Sequence, residues 1–239
     1  MLFSSIPFLY WFLPCVLLVY FLAPRRAKNG VLLLASLIFY GWGEPRYLLV
    51  MLASIVQGYA FGLLIGKLRG RPAARACLAA SVVLSFAALA YFKYADFFLD
   101  SFRAVTGLPV TVLRLALPAG ISFYTFQILS YVIDLYWGKV HVQRNFFYLL
   151  LYVSFFPQLI AGPIVRYSTI EDEILHRKET WDDVEAGLKR FLLGLAKKVL
   201  IANNVAAIAD MIYQGNQSIY GTVLYWLASV AYTMQIYFD

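Results

Sequence analysis

Residues 115–137 read LALPAGISFYTFQILSYVIDLYW, an apolar run in which Asp134 is the one charged side chain. A helix needs about 20 mostly apolar residues to cross the hydrocarbon core, and this run is long enough. Inside it, Tyr124, Gln127, Tyr131 and Asp134 are spaced three, four and three apart, so a helix presents them as one polar stripe. Ionisable groups at membrane depth are expensive and turn toward the bundle interior or toward water. The stripe therefore reads either as satisfied packing or as one wall of a pocket or pathway.

The rest of the chain has the same character. Of 239 residues, 62% are hydrophobic, 18% aromatic and 14% charged, and the mean hydropathy is +0.71. Soluble domains average about 45–50% apolar and roughly 25% charged residues. A soluble chain this apolar would expose large patches and aggregate, so the bilayer is its natural solvent. Candidate spans run over 6–23, 30–43, 47–66, 76–95, 115–137, 146–165 and 219–238. The second is short and ends at Gly41-Trp42-Gly43-Glu44-Pro45, a break with an interfacial tryptophan. The expected class is an all-α, polytopic transmembrane helical bundle forming one domain.

The net charge of +7 does not point to nucleic acid, because the basic residues sit in short clusters between apolar runs. Such clusters mark cytoplasmic ends of spans. Arg25, Arg26 and Lys28 follow the first span, and Lys67, Arg69, Arg71 and Arg75 follow the third. The second connection holds only Glu44 and Arg46, and in the fourth Asp96, Asp100, Arg103 and Arg114 cancel. Odd loops are therefore expected in the cytoplasm and the N-terminus outside. No basic start of a cleavable signal peptide precedes the first span.

The stretch 146–165 breaks this alternation. A full crossing would place the later Lys189, Arg190, Lys197 and Lys198 outside. It also contains Pro157 and Gly162-Pro163, which interrupt helices. A re-entrant or broken segment near 146–166 resolves the charge conflict, and such a segment is tolerated only where it is buried in protein or lines a wet cavity. A proline-kinked full span is the alternative. Residues 166–213 form a polar cytoplasmic or interfacial stretch. In it, Thr180 and Asp183 resemble a capping box, followed by an amphipathic helix over about 181–213.

Other features carry less. Gly58, Gly62 and Gly66 recur every fourth residue and permit close helix approach. Cys15 and Cys77 form no CxxC pair, and no metal site is expected. His141 and His176 sit in polar connections without a partner at HExxH spacing, and both read as solvated histidines. Asn216-Gln217-Ser218 matches a glycosylation sequon. On residues alone, an enzyme and a transporter or channel component fit about equally well.

Longer stretches go further. Leu117-Pro118-Ala119-Gly120-Ile121-Ser122-Phe123-Tyr124-Thr125-Phe126-Gln127, continuing to Ser130-Tyr131-Val132-Ile133-Asp134, resembles a signature of bacterial membrane-bound O-acyltransferases. So do Phe155-Phe156-Pro157-Gln158-Leu159-Ile160-Ala161-Gly162-Pro163-Ile164-Val165-Arg166 and Gly194-Leu195-Ala196-Lys197-Lys198-Val199. Leu2-Phe3-Ser4-Ser5, Phe92-Lys93-Tyr94-Ala95 and the closing Tyr232-Thr233-Met234-Gln235-Ile236-Tyr237-Phe238-Asp239 also match. The branch most resembled is the membrane subunit of alginate O-acetylation systems.

The resemblance implies a many-helix enzyme with a funnel through a bacterial inner membrane. An acyl group from a thioester donor such as acetyl-CoA would pass to an exported polysaccharide, directly or through extracytoplasmic partner proteins. Tyr124, Gln127, Tyr131 and Asp134 would line the funnel, with Gln158, Gly162 and Pro163 on the broken segment and Arg166 near its mouth. The family's catalytic histidine lies in a later run like Trp-Arg-Arg-Trp-His. The chain is thus expected to be the N-terminal portion of that fold, inactive alone, with neither His141 nor His176 inheriting the role. A non-catalytic scaffold in a cell-envelope complex is the other expectation.

Overall fold

A computed structural model describes residues 4–108, 111, 116–159, 162–215 and 221–239. Among them every regular element is helical. A π-helical turn, Phe8–Phe12, leads into α1 (Leu13–Leu22), followed by α2 (Lys28–Gly43), α3 (Leu48–Lys67) and α4 (Pro72–Thr106). Then come α5 (Ile121–Trp137), α6 (Phe146–Ser154), α7 (Phe156–Leu159) and α8 (Tyr167–His176). The chain continues through α9 (Trp181–Ala196), a π-helical turn Lys197–Ala202, α10 (Asn203–Gln214) and α11 (Thr222–Phe238). Leu48–Lys67, Pro72–Thr106 and the continuous Trp181–Gln214 are long and apolar enough to cross a membrane, and Phe8–Leu22 is a shorter apolar helix. The fold is that of an all-α membrane protein.

Local chemistry explains the boundaries. Pro72 occupies the first turn of α4, where its missing N–H costs nothing, and Gly107 closes the helix with φ +70°. No breaker lies between, so α4 runs beyond the expected 76–95 and carries Asp96, Asp100 and Arg103 on its surface rather than in a loop. α2 ends at Gly43, within the Gly41–Pro45 stretch where the sequence indicates a break. At Pro157 the ring would clash with the carbonyl four residues back and offers no N–H. The helix stops at Ser154 and restarts at Phe156, whose N–H donates to Ser36 Oγ (3.2 Å).

The chain divides into two compact units, Phe12–Arg177 and Lys178–Asp239, the second joined by the described residues before Phe12. In the first, α3 packs against α4 and α5, and α2 against α6. Its core gathers Met51, Ile55 and Ile65 of α3, Ile128, Val132 and Leu135 of α5, and Leu149 and Val153 of α6. The glycine stripe serves this packing. A Cβ on Gly58 would lie 2.4 Å from Ile128 Cγ2, and one on Gly62 would lie 2.8 Å from the Tyr131 ring. On Gly66 it would lie 2.4 Å from Val142 Cγ2.

The second unit is a helical hairpin. The Thr180 hydroxyl accepts the Asp183 N–H (3.2 Å), and the Asp183 carboxylate accepts the Thr180 N–H, so the capping box forms. α10 packs against α11, and the small side chains of Ala209, Ala228 and Ala231 on these helices are buried. Tyr213 and Ser229 hydroxyls meet at 3.0 Å, and Lys198 pairs with Asp239. The amphipathic helix expected over about 181–213 is continuous over Trp181–Gln214, with Lys197 and Lys198 in the π turn and Lys189 and Arg190 about two turns before it.

Candidate functional site

The polar stripe of α5 lies inside the first unit. Tyr124, Gln127 and Tyr131 are fully buried and Asp134 nearly so. Their surroundings differ. The Tyr131 hydroxyl accepts the Gln143 N–H (3.1 Å). Gln143 in turn donates through Nε2 to the Tyr167 hydroxyl (2.8 Å) and accepts the Asn145 N–H at Oε1 (2.9 Å). The Tyr167 ring stands edge-on to both Tyr131 (5.0 Å between centroids) and Tyr152 (5.2 Å). Tyr152 donates to the Val165 carbonyl (2.8 Å), and its hydroxyl lies 3.4 Å from Ser130 Oγ. Burial pushes the Tyr167 phenol above its ordinary value, so it stays neutral at physiological pH.

Asp134 occupies the last turn of α5. Its backbone carbonyl accepts from the Gly138 and Lys139 N–H groups, with Gly138 in the left-handed region at φ +76°. Lys139 Nζ lies 3.8 Å from the Asp134 carboxylate and 4.7 Å from the Trp137 ring centroid. The lysine reaches back along the helix end while staying half exposed. Asp134 is therefore a compensated charge near the C-terminal end of α5.

Farther along α5, the Gln127 amide and the Tyr124 hydroxyl have no hydrogen-bond partner among the described residues. A buried polar group left this way costs about 1–3 kcal/mol. Most such groups in folded proteins are satisfied, so each exception calls for a reason. Two of them, one helical turn apart on one face, make the chemically unspent part of the stripe.

The broken segment meets the stripe at its N-terminal end. Gly120 caps α5 at φ +74°, and a Cβ there would lie 2.6 Å from the Leu159 carbonyl oxygen. Only glycine allows this approach. The Tyr40 hydroxyl donates to the neighbouring Ala119 carbonyl (3.0 Å). Residues 117–127 and 155–159, far apart in sequence, are thereby brought together. Gln158 is half-buried, donates to the Tyr152 carbonyl (2.6 Å) and borders a cavity of about 140 Å³ with Tyr152, Glu173 and Arg177. Gly162, Pro163 and Arg166 are exposed, Gly162 with φ +99°, and Arg166 precedes α8.

Neither histidine joins this cluster. The His141 side chain is almost wholly exposed and lies 3.4 Å from Glu171 through Nδ1. His176 is exposed at the C-terminal end of α8. No group of three His, Cys, Asp or Glu side chains able to hold a metal occurs among the described residues. The sequon at 216–218 lies outside the described residues.

Tyr152, Tyr167 and Gln143 escaped the sequence reading, and Ser130 entered it only as part of the signature stretch. Tyr152 sits in an apolar run and Gln143 in a connection, and neither shares a helical face with the stripe. The one available signal was the tyrosine content of 18 residues, which exceeds what interfacial anchoring of a few spans requires.

Comparison with known proteins finds relatives of the sequence. The chain is 41% identical over 244 residues to the probable alginate O-acetylase AlgI of Azotobacter vinelandii, covering all of this chain and 48% of that protein. It is 41% identical to the probable alginate O-acetylase AlgI of Pseudomonas aeruginosa, over all of this chain and 46% of that protein. It is 34% identical over 271 residues to the peptidoglycan O-acetyltransferase of Helicobacter pylori, covering 51% of that protein. The chain spans about half the length of the curated relatives it matches. No family model matches it, and no solved structure does.

Proposed function

We propose that this chain is part of a membrane-bound O-acyltransferase, and that the complete protein moves acetyl groups onto an exported polysaccharide such as alginate. The observation that carries this reading is the 41% identity, over the whole of this chain, to proteins named as alginate O-acetylases. The same chain also resembles a protein named for peptidoglycan, so O-acetylation of an envelope polymer is the shared chemistry.

The donor in this reading is an acyl thioester such as acetyl-CoA, used from the cytoplasmic side of a bacterial inner membrane. The acceptor is reached outside, directly or through extracytoplasmic partner proteins. The multi-pass topology starts with an extracytoplasmic N-terminus, following the alternation of basic loops. Tyr124 and Gln127 form the polar wall along which the acyl group passes. Gln158 stands where the broken segment closes on α5, with Gly162, Pro163 and Arg166 beyond it. Tyr131 and Asp134 are held by Gln143 and Lys139 and act as positioning residues.

Acyl transfer to a hydroxyl needs a base near the attacking oxygen, and histidine is the usual choice. His141 and His176 lie away from the buried cluster and receive no such role. The test is deletion of the gene for the complete protein, followed by quantification of ester-linked acetyl groups on the exported polymers. Loss of ester from one polymer, restored by complementation, is expected. Unchanged ester with lost uptake of a solute into vesicles would replace the acyltransferase by a transporter.

A further inference from the structure

The turn between α3 and α4 is arranged for an anion. Its sequence, Lys67-Leu68-Arg69-Gly70-Arg71-Pro72, is followed one helical turn later by Arg75. Gly70 takes φ +83°, which lets the chain reverse tightly. The reversal sets Arg69, Arg71 and Arg75 around a pocket of about 570 Å³, with Ile65, Ala74 and Tyr136 among its other walls.

Two of the guanidinium groups are held in place. Arg75 Nε donates to the Tyr136 hydroxyl (3.2 Å). Arg69 Nη2 lies so close to Gly138 that a Cβ there would overlap it. Gly138 is thus required twice, by its positive φ and by the arginine lying across it. Among the described residues, no carboxylate stands within ion-pair distance of any of the three arginines. Three like charges facing one pocket repel, and a bound anion relieves that repulsion.

We propose that this pocket binds a phosphate group. Guanidinium groups present paired donors that match phosphate oxygens, and several can share one phosphate. The pocket lies at the C-terminal end of α3, which is long enough to cross a membrane, so a spanning α3 would set it at the depth of a phospholipid headgroup, with Ile65 and Ala74 as apolar walls. A soluble organic phosphate offers the same chemistry. A basic loop that served only to orient the spans would need charge but no pocket, no glycine under Arg69 and no hydroxyl on Arg75. This proposal is independent of the acyl-transfer reading.

The test is native mass spectrometry of the complete protein in nonionic detergent, with phosphatidylglycerol, diacylglycerol or inorganic phosphate added. Retention of phosphatidylglycerol over diacylglycerol is expected. Arg75→Gln should weaken it roughly ten-fold, the loss of one charge-assisted pair. Tyr136→Phe, which keeps every charge and serves if Arg75→Gln does not fold, should weaken it less. Arg25→Gln with Arg26→Gln, in an equally basic loop, should leave it unchanged. Displacement by millimolar inorganic phosphate would put the natural source in solution, and resistance to it would put the source in the lipid. Equal retention of diacylglycerol, or equal loss in the Arg25/Arg26 variant, would overturn the site.

Discussion

α5 and the helix Trp181–Gln214 invert each other. α5 holds Gln127, Thr125 and Asp134 and buries most of its length, polar side chains included. The second helix has an apolar window fit to cross a membrane, yet almost none of that window is buried. In water the arrangement would be reversed, because apolar burial drives folding there. With lipid as solvent, apolar side chains need no protein cover, and polar ones must find it. Hydropathy alone therefore does not say which helix is central. The decisive quantities are the small residues that admit a neighbour and the polar groups that require one.

That contrast can be broken first where α3 meets the stripe of α5. Gly62→Leu should destabilise the protein by about 1–3 kcal/mol or more, because its first added carbon already meets the Tyr131 ring. The check is the melting temperature and monodisperse yield in detergent, and an unchanged melting temperature would show that α3 and α5 can part freely. Next in size comes Gln143→Leu. It removes the partner of the buried Tyr167 hydroxyl and of the Asn145 N–H, at about 1–3 kcal/mol. Hydrogen exchange in residues 138–145 should rise with it. The smallest effect has the opposite sign. Gly187 on α9 has open space beside it, so Gly187→Ala should stabilise by up to about 1 kcal/mol through helix propensity. A loss of stability there would reveal a close neighbour for this bare helix.

Much of this was readable from residues. Pro157 interrupts its helix as proline chemistry requires, and Thr180 with Asp183 forms the cap that its spacing indicates. The stripe on α5 was legible because a 3.6-residue period projects distant positions onto one face. The length of α4 was not, since charges at Asp96, Asp100 and Arg103 look like a loop when hydropathy is averaged. Nor was the ranking within the stripe. Asp134 draws the eye as a charge in an apolar run, but Lys139, five residues later, compensates it across the helix end. Gln127 looks ordinary until its amide stands without a hydrogen-bond partner among the described residues. Tyr152, Tyr167 and Gln143 come together only through tertiary packing, which no local period encodes.

The most direct test of the account is Gln127→Leu in the complete protein, with acetyl transfer and membrane abundance measured side by side. Leucine is similar in size and removes a buried amide that has no partner among the described residues, so structure alone favours equal or greater stability. The account predicts abundance at or above the wild-type level with acetyl transfer reduced at least ten-fold. Wild-type acetylation at unchanged abundance would contradict it, leaving the stripe on α5 as packing.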